Sequence, residues 1–278
     1  MGIKITVDNN FFDEYKNWPN SRDKRNLILA FQQKRFSFYP TAELGAELLG
    51  LYKTKRKQTL FKHAEVFLEL RPGRFLNAWN KIIRSELGLL KEGVFLDPVL
   101  YDQIIRLMEG LKNGEVPENI DEILEKVEEE KVKNFETYKK SQDEHFAKIK
   151  KLKIKIPSMT FDEFYFRDFA INIRKDNIKA IFKRAGKEIS ETLINKINDN
   201  PKYPYYFTSA RVFMAMFYRH VVLKRKVKAS DHYDQYYLIY LTNLDYLVSN
   251  DSGIKELARD VFGNENKVIT FQELMAMV

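Results

Sequence analysis

The sequence predicts an α/β fold: a central, mainly parallel sheet joined by helices and enlarged by a mostly helical insertion. Three observations predict it. Two short apolar runs, Ile3-Lys4-Ile5-Thr6-Val7 and Tyr246-Leu247-Val248, read as strands, and each leads into an acidic residue flanked by small polar side chains, Asp8 and Asp251. The opening of the chain is ordered strand, helix, strand, helix. Residues 98–200 carry helical patterns and no clear strand.

The elements follow in order. After Asp8, residues 9–15 read as a turn entering a short helix, which Trp18-Pro19-Asn20 interrupts. A second helix over residues 21–33 turns Leu27, Ile28, Ala30 and Phe31 inward. Residues 35–39 alternate like a strand and stop at Pro40. Thr41 then serves as the N-cap of a third helix with Leu44, Leu48, Leu49 and Leu51 on its apolar side. Helical patterns run from 57 to 90, broken at Arg71-Pro72-Gly73.

The middle of the chain has a different character. Residues 121–155 are dense in Glu and Lys with sparse apolar positions, which predicts a long exposed helix or helical hairpin supported by i,i+4 ion pairs. Its end, residues 148–155, is the densest basic run, and helices resume over 160–182 and 187–198. The chain therefore divides into a first part of the core, 1–97, a helical insertion or cap, 98–200, and a second part of the core, 201–278. The insertion is expected to fold clear of the two ends.

The last segment returns to α/β character. Residues 208–223 have almost no polar stripe, so that helix should be deeply buried. Lys224 to Lys228 form a basic run, and Ser230-Asp231-His232-Tyr233-Asp234 opens another apolar helix. The strand ending near Asp251 follows, then a helix over 254–262 and a final strand over 267–271.

Composition narrows the classes of function. A formal charge of +8 fits a polyanionic partner, and equally a well-solvated surface. The absence of cysteine excludes disulfides, thiolate zinc sites and cysteine nucleophiles. No apolar run reaches the roughly 20 residues of a membrane helix, and the N-terminus lacks the apolar core of a signal peptide, so a cytoplasmic protein is expected. P-loop, dinucleotide, Gly-x-Ser-x-Gly and His-Glu-x-x-His motifs are absent.

Carboxylates supply the candidate chemistry. In α/β sheets, ligands bind outside the carboxyl ends of the strands, where Asp8 and Asp251 fall. Glu43 and Glu47 lie four apart on one helical face, while Asp231 and Asp234 sit in the first turn of their helix. Each has a structural alternative: Asp231 as an N-cap, Asp234 as a first-turn acid favoured by the helix dipole, Asp251 and Asp8 as turn formers, Glu47 as a surface residue. Carboxylate oxygens without His or Cys select hard cations, so the expected cofactor is Mg²⁺ or Mn²⁺.

The runs Thr6-Val7-Asp8-Asn9-Asn10-Phe11-Phe12, Ala42-Glu43-Leu44-Gly45-Ala46-Glu47, Asp234-Gln235-Tyr236-Tyr237 and Leu247-Val248-Ser249-Asn250-Asp251 together resemble the PIN-domain nucleases in order and kind. The resemblance covers about the first 55 residues and the last 50. It implies a three-layer α/β/α sandwich around a parallel sheet. It also implies metal-dependent hydrolysis of RNA, or of single-stranded DNA, by Asp8, Glu47, Asp234 and Asp251 around one or two divalent ions. Asp231 would be an extra ligand, and Asn10, Ser249 and Glu43 would support the site. Lys53, Lys55, Arg56, Lys57, Arg211, Lys224, Arg225, Lys226 and Lys228 are candidates to hold the nucleic-acid backbone. An inhibitor or partner protein belongs to the same expectation, and a homodimer is one candidate assembly. Two competitors stand beside it. An aspartate-nucleophile phosphatase would need a second Asp where this chain has Asn10. A non-catalytic nucleic-acid- or protein-binding module would use the acids as caps and the basic helix as its contact.

Overall fold

The computed structural model describes residues 2–52, 57–151, 159–198, 200–225 and 229–278, and within these all side chains except those of 148, 151 and 229–234. The first element is β1 (Ile3–Val7), whose Ile5 and Val7 are buried. It leads through Asp8 and Asn9 into α1 (Asn10–Asn17), anchored by Phe11 and Phe12 and stopped at Trp18 before Pro19. Asn20 caps α2 (Ser21–Gln32) by accepting from the amides of Arg22 and Asp23. The next strand, β2 (Phe36–Phe38), buries both phenylalanines. Thr41 caps α3 (Ala42–Gly50), its hydroxyl accepting from the Leu44 amide at 3.1 Å.

Next come α4 (Lys57–Glu69) and α5 (Trp79–Glu86), separated where Arg71 takes a positive φ of 49° beside Pro72. The middle block contains α6 (Pro98–Lys112), α7 (Ile120–Lys151), α8 (Phe161–Tyr165), α9 (Asp168–Arg184) and α10 (Glu191–Ile197). It has no strand among the described residues. One helix expected over 160–182 is two, because the chain turns at Phe166 and Arg167. The C-terminal segment carries α11 (Pro204–Val221), α12 (Ala229–Tyr240), β3 (Tyr246–Val248), α13 (Ser252–Phe262), β4 (Val268–Ile269) and α14 (Phe271–Ala276).

Three boundaries differ from expectation. Helix α11 starts four residues early because Pro204 suits a first helical turn, where its missing amide costs nothing. Helix α13 starts two residues early because Asp251 caps it. The final strand shrinks to two residues, because Thr270 and Glu273 form a reciprocal capping box that turns the chain into α14.

The four strands among the described residues are all parallel, in the order β2-β1-β3-β4. From β1 the chain steps to one side to reach β2, and from β3 it steps to the other side to reach β4. Right-handed crossovers in opposite directions put the connecting helices on opposite faces, so this order is compatible with a three-layer sandwich. The reversal lies between β1 and β3, which pair with Val7 opposite Val248. A crevice opens at such a reversal, outside the carboxyl ends of the strands.

The three segments of the chain share one hydrophobic core. Helix α6 packs along α4, with Met108 and Leu111 buried. Helix α7 has 32 residues, about 48 Å at 1.5 Å per residue. It is bound to α11 by the edge contacts of Tyr138 and His145 with Phe213, and it also packs against α3. The insertion therefore does not fold clear of the two ends: its longest helix lies against α3 of the first and α11 of the second. Among the described residues no helix is long and apolar enough to cross a membrane.

Candidate active site

Helix α7 forms part of a cleft of about 360 Å³ at the ends of β1 and β3. Asp8, Asn9 and Asn10 line it from the β1–α1 turn, Glu47 from α3 and Tyr237 from α12. Asp251 and Ile254 close it from the start of α13, and Lys131 enters from α7. Three of the four acids expected to act together thus meet in one space. The fourth, Asp234, lies on α12 one turn before Tyr237, and its side chain, like that of Asp231, is outside the described residues.

Parallel pairing puts Asp8 and Ser249 side by side, the Asp8 amide donating to the Val248 carbonyl at 3.2 Å. The Ser249 hydroxyl donates to Asp8 Oδ2 at 2.5 Å, across 241 residues of sequence. Oδ1 of Asp8 accepts from the Phe11 amide at 3.2 Å, and the Asn10 side-chain amide approaches Oδ2 at 3.4 Å. With Asp8 only 5% exposed, burial holds its carboxyl above the usual range, and these hydrogen bonds only partly offset the effect. The oxygen of the same Ser249 hydroxyl accepts from the Asp251 amide at 3.1 Å, so one serine joins both strand-end acids.

Asp251 also has a structural task. Its Oδ1 accepts from the amides of Gly253 and Ile254 at 2.6 and 3.1 Å, which makes it the N-cap of α13. The capping reading of this residue therefore holds, and the same side chain lines the cleft.

The two glutamates of α3 separate into different roles. Glu47 lines the cleft; although the residue keeps some exposed surface, burial around its carboxyl pushes it up to about 7. Tyr237 and the Lys131 ammonium pull the other way, while the charges of Asp8 and Glu43 add to the burial. Glu43 sits one turn back, its enclosed carboxyl accepting from the Tyr240 hydroxyl, which also lies 3.0 Å from the Asn77 carbonyl oxygen. Burial raises the Glu43 carboxyl as well.

The candidate basic contacts are spread differently. Lys53, Lys55, Arg56, Lys226 and Lys228 fall outside the described residues. Lys57 donates to the Tyr52 hydroxyl at 3.0 Å. Arg211 is engaged inside the fold, donating to Asp162 and to the Val261 and Asp260 carbonyls, and lying over the Phe161 and Tyr165 rings. Arg225 pairs with Glu256 at 2.7 Å, and Lys224 beside it is exposed with a positive φ of 53°.

Lys131 was not legible as a site residue among so many Glu and Lys. Its position carries a signal nonetheless. The inward residues of α7 recur at Leu124, Val127, Phe135, Tyr138, Gln142, His145 and Ile149, and Lys131 fills the gap in that three-and-four spacing.

The donors suit a hard cation in kind, being carboxylate and amide oxygens without sulfur or imidazole. Among the described residues, one buried polar atom of the residues that line the cleft, Asn9 Oδ1, meets no hydrogen-bond partner. Among the described residues, no three acidic or histidine side chains converge closely enough to hold a metal ion on their own. No protein-family model, curated protein or solved structure matches the chain.

Proposed function

We propose that this protein is a PIN-like, metal-dependent nuclease that hydrolyses phosphodiester bonds in RNA or single-stranded DNA, working in the cytoplasm with Mg²⁺ or Mn²⁺. The observation that carries this reading is the Ser249 bridge, which ties Asp8 to Asp251 at the reversal of strand order with Glu47 in the same cleft. Asp8, Glu47 and Asp251 would hold the cation, with Asp234 as the fourth acid. When bound, the ion lowers the pKa of a water and stabilises charge on a phosphoryl oxygen.

The chain's own residues have defined parts in this reading. Ser249 and Asn10 fix the Asp8 carboxylate, so its orientation does not depend on a ligand. Near neutrality Glu47 can hold or release a proton at its carboxyl. The Lys131 ammonium faces the same space and opposes the negative charge of the cleft. The net charge of +8 favours a polyanionic backbone over the rest of the surface.

The test is incubation of labelled RNA and single-stranded DNA with Mn²⁺, Mg²⁺ or EDTA. Cleavage should require the metal, and Asp8→Asn should slow it about 100-fold or more, the scale of removing one group that stabilises developing charge. An Asp8→Asn protein that cuts as fast as wild type would sink the reading. The capping role of Asp251, and the lack of three converging acids among the described residues, favour a second reading, a non-catalytic binding module. Tight RNA binding without cleavage, the same in EDTA as in Mn²⁺, would select it.

A further inference from the structure

Lys131 occupies a position where the helical pattern calls for an apolar side chain. Helix α7 turns Leu124, Val127, Phe135 and Tyr138 inward at spacings of three and four, and Lys131, half-buried, fills the place between Val127 and Phe135. The helix's other lysines from 126 to 140 are exposed. Glu125, Glu128, Glu129 and Glu136 are exposed too, and they line a depression of their own rather than the cleft. One cation is thus turned toward the acidic cleft while the acids around it on the same helix stay out. Half-burying an ammonium costs hydration that an apolar side chain would not lose, so lysine at this position needs a reason in the cleft.

The surroundings supply that reason. Asp8, Glu47 and Asp251 line the same space, and among the described residues that line it Lys131 is the one cationic side chain. Its charge favours the ionised form of the Glu47 carboxyl, against the effect of burial. Serving as a counter-ion does not exhaust an ammonium, which has three N–H donors on a flexible four-carbon stem. While one of them serves a carboxylate, the others can meet an anion that enters. The acids alone would repel a phosphate, whereas an ammonium from α7 attracts it. The packing of α7 on α3, the helix of Glu47, brings the lysine to this space, so the helical block contributes a residue to the cleft as well as covering the core.

We propose that Lys131 is a substrate-binding residue, contributed by the helical block, whose ammonium holds a phosphate of a single-stranded RNA backbone in the cleft. This rests on the nuclease reading above. The test measures binding of a short fluorescein-labelled single-stranded RNA by anisotropy in Ca²⁺ over a series of KCl concentrations, for wild type, Lys131→Met, Lys131→Gln and Lys131→Arg. Loss of one phosphate contact should weaken binding about 3- to 10-fold at low salt in the Met and Gln variants. It should also make the fall of log affinity with log salt shallower by about 0.7, the share of one contact on a single strand. Lys131→Arg, which keeps the charge, should retain the wild-type slope. A lysine that only balances Glu47 inside the fold would lower Tm when replaced and leave the salt slope unchanged, and that result overturns the inference. Failure of both neutral variants to fold overturns it too, by marking the ammonium as structural. If wild type binds no RNA at all, the nuclease reading falls and takes this inference with it. If wild type binds RNA and cuts it with Mn²⁺, and the neutral variants bind with the same affinity and slope, only the inference falls.

Discussion

Glu47 and Ser249 show how single side chains set the character of the cleft. The folded-state pKa of Glu47, about 7, lies above its ordinary value of 4.5. A group raised in this way contributes its full share of stability below its unfolded pKa and loses it as pH rises through the folded one. Between pH 4.5 and 7 the metal-free protein should therefore lose on the order of 2–3 kcal/mol at this position. Glu47→Gln lacks that dependence, so its stability advantage over wild type should be small at pH 5 and largest at pH 8, read by urea unfolding across that range. A gap that does not change with pH would refute the assignment. Ser249→Ala removes the donor to Asp8 and the acceptor of the Asp251 amide. It should cost about 1–3 kcal/mol in thermal unfolding and push the Asp8 carboxyl further up. Asp8 and Ser249 were legible in the sequence because a strand end fixes where a side chain goes. The Tyr237 hydroxyl was not, since a tyrosine in an apolar helix reads first as core.

Helix α13 shows the same logic in a secondary-structure element. Asp251 caps its start, and Gly263 ends it at φ 77° in open space. Asparagine caps nearly as well as aspartate and alanine does not. Asp251→Asn should thus leave thermal stability within about 0.5 kcal/mol of wild type, and Asp251→Ala should lower it by about 1 kcal/mol. That makes the asparagine variant the cleaner probe of chemistry, because a loss of cleavage cannot then be assigned to a frayed helix. Gly263→Ala meets no neighbour, and its expected cost of about 1 kcal/mol is purely that of the left-handed backbone. Strand and helix order were readable from apolar spacing, whereas the ends depended on caps. The pattern Thr270-Phe271-Gln272-Glu273 announces a helix start, but the apolar run before it reads as a longer strand.

The whole molecule is built around a direct contact between sequence-distant strands. One core runs through the terminal segments and the helical block, so the boundaries at 97 and 200 do not mark separately packed units. Replacing residues 98–200 with a short linker should therefore abolish cooperative thermal unfolding, because it would expose the faces of α4 and α11 that α6, α7 and α8 cover. A sharp transition in the shortened chain would show that the block is dispensable. Composition changes at those boundaries, but composition reports exposure; packing between segments, such as Tyr138 on Phe213, leaves no trace in it.

Because β1 pairs with β3, the timing of synthesis matters to the cleft. A ribosome that has made Asp8 must add 241 more residues before the bridging hydroxyl of Ser249 exists. Contacts this distant in sequence also form slowly. Throughout that interval the nascent protein has the first acid without its partner across the reversal, so the acidic cleft can assemble only after Ser249 has been made.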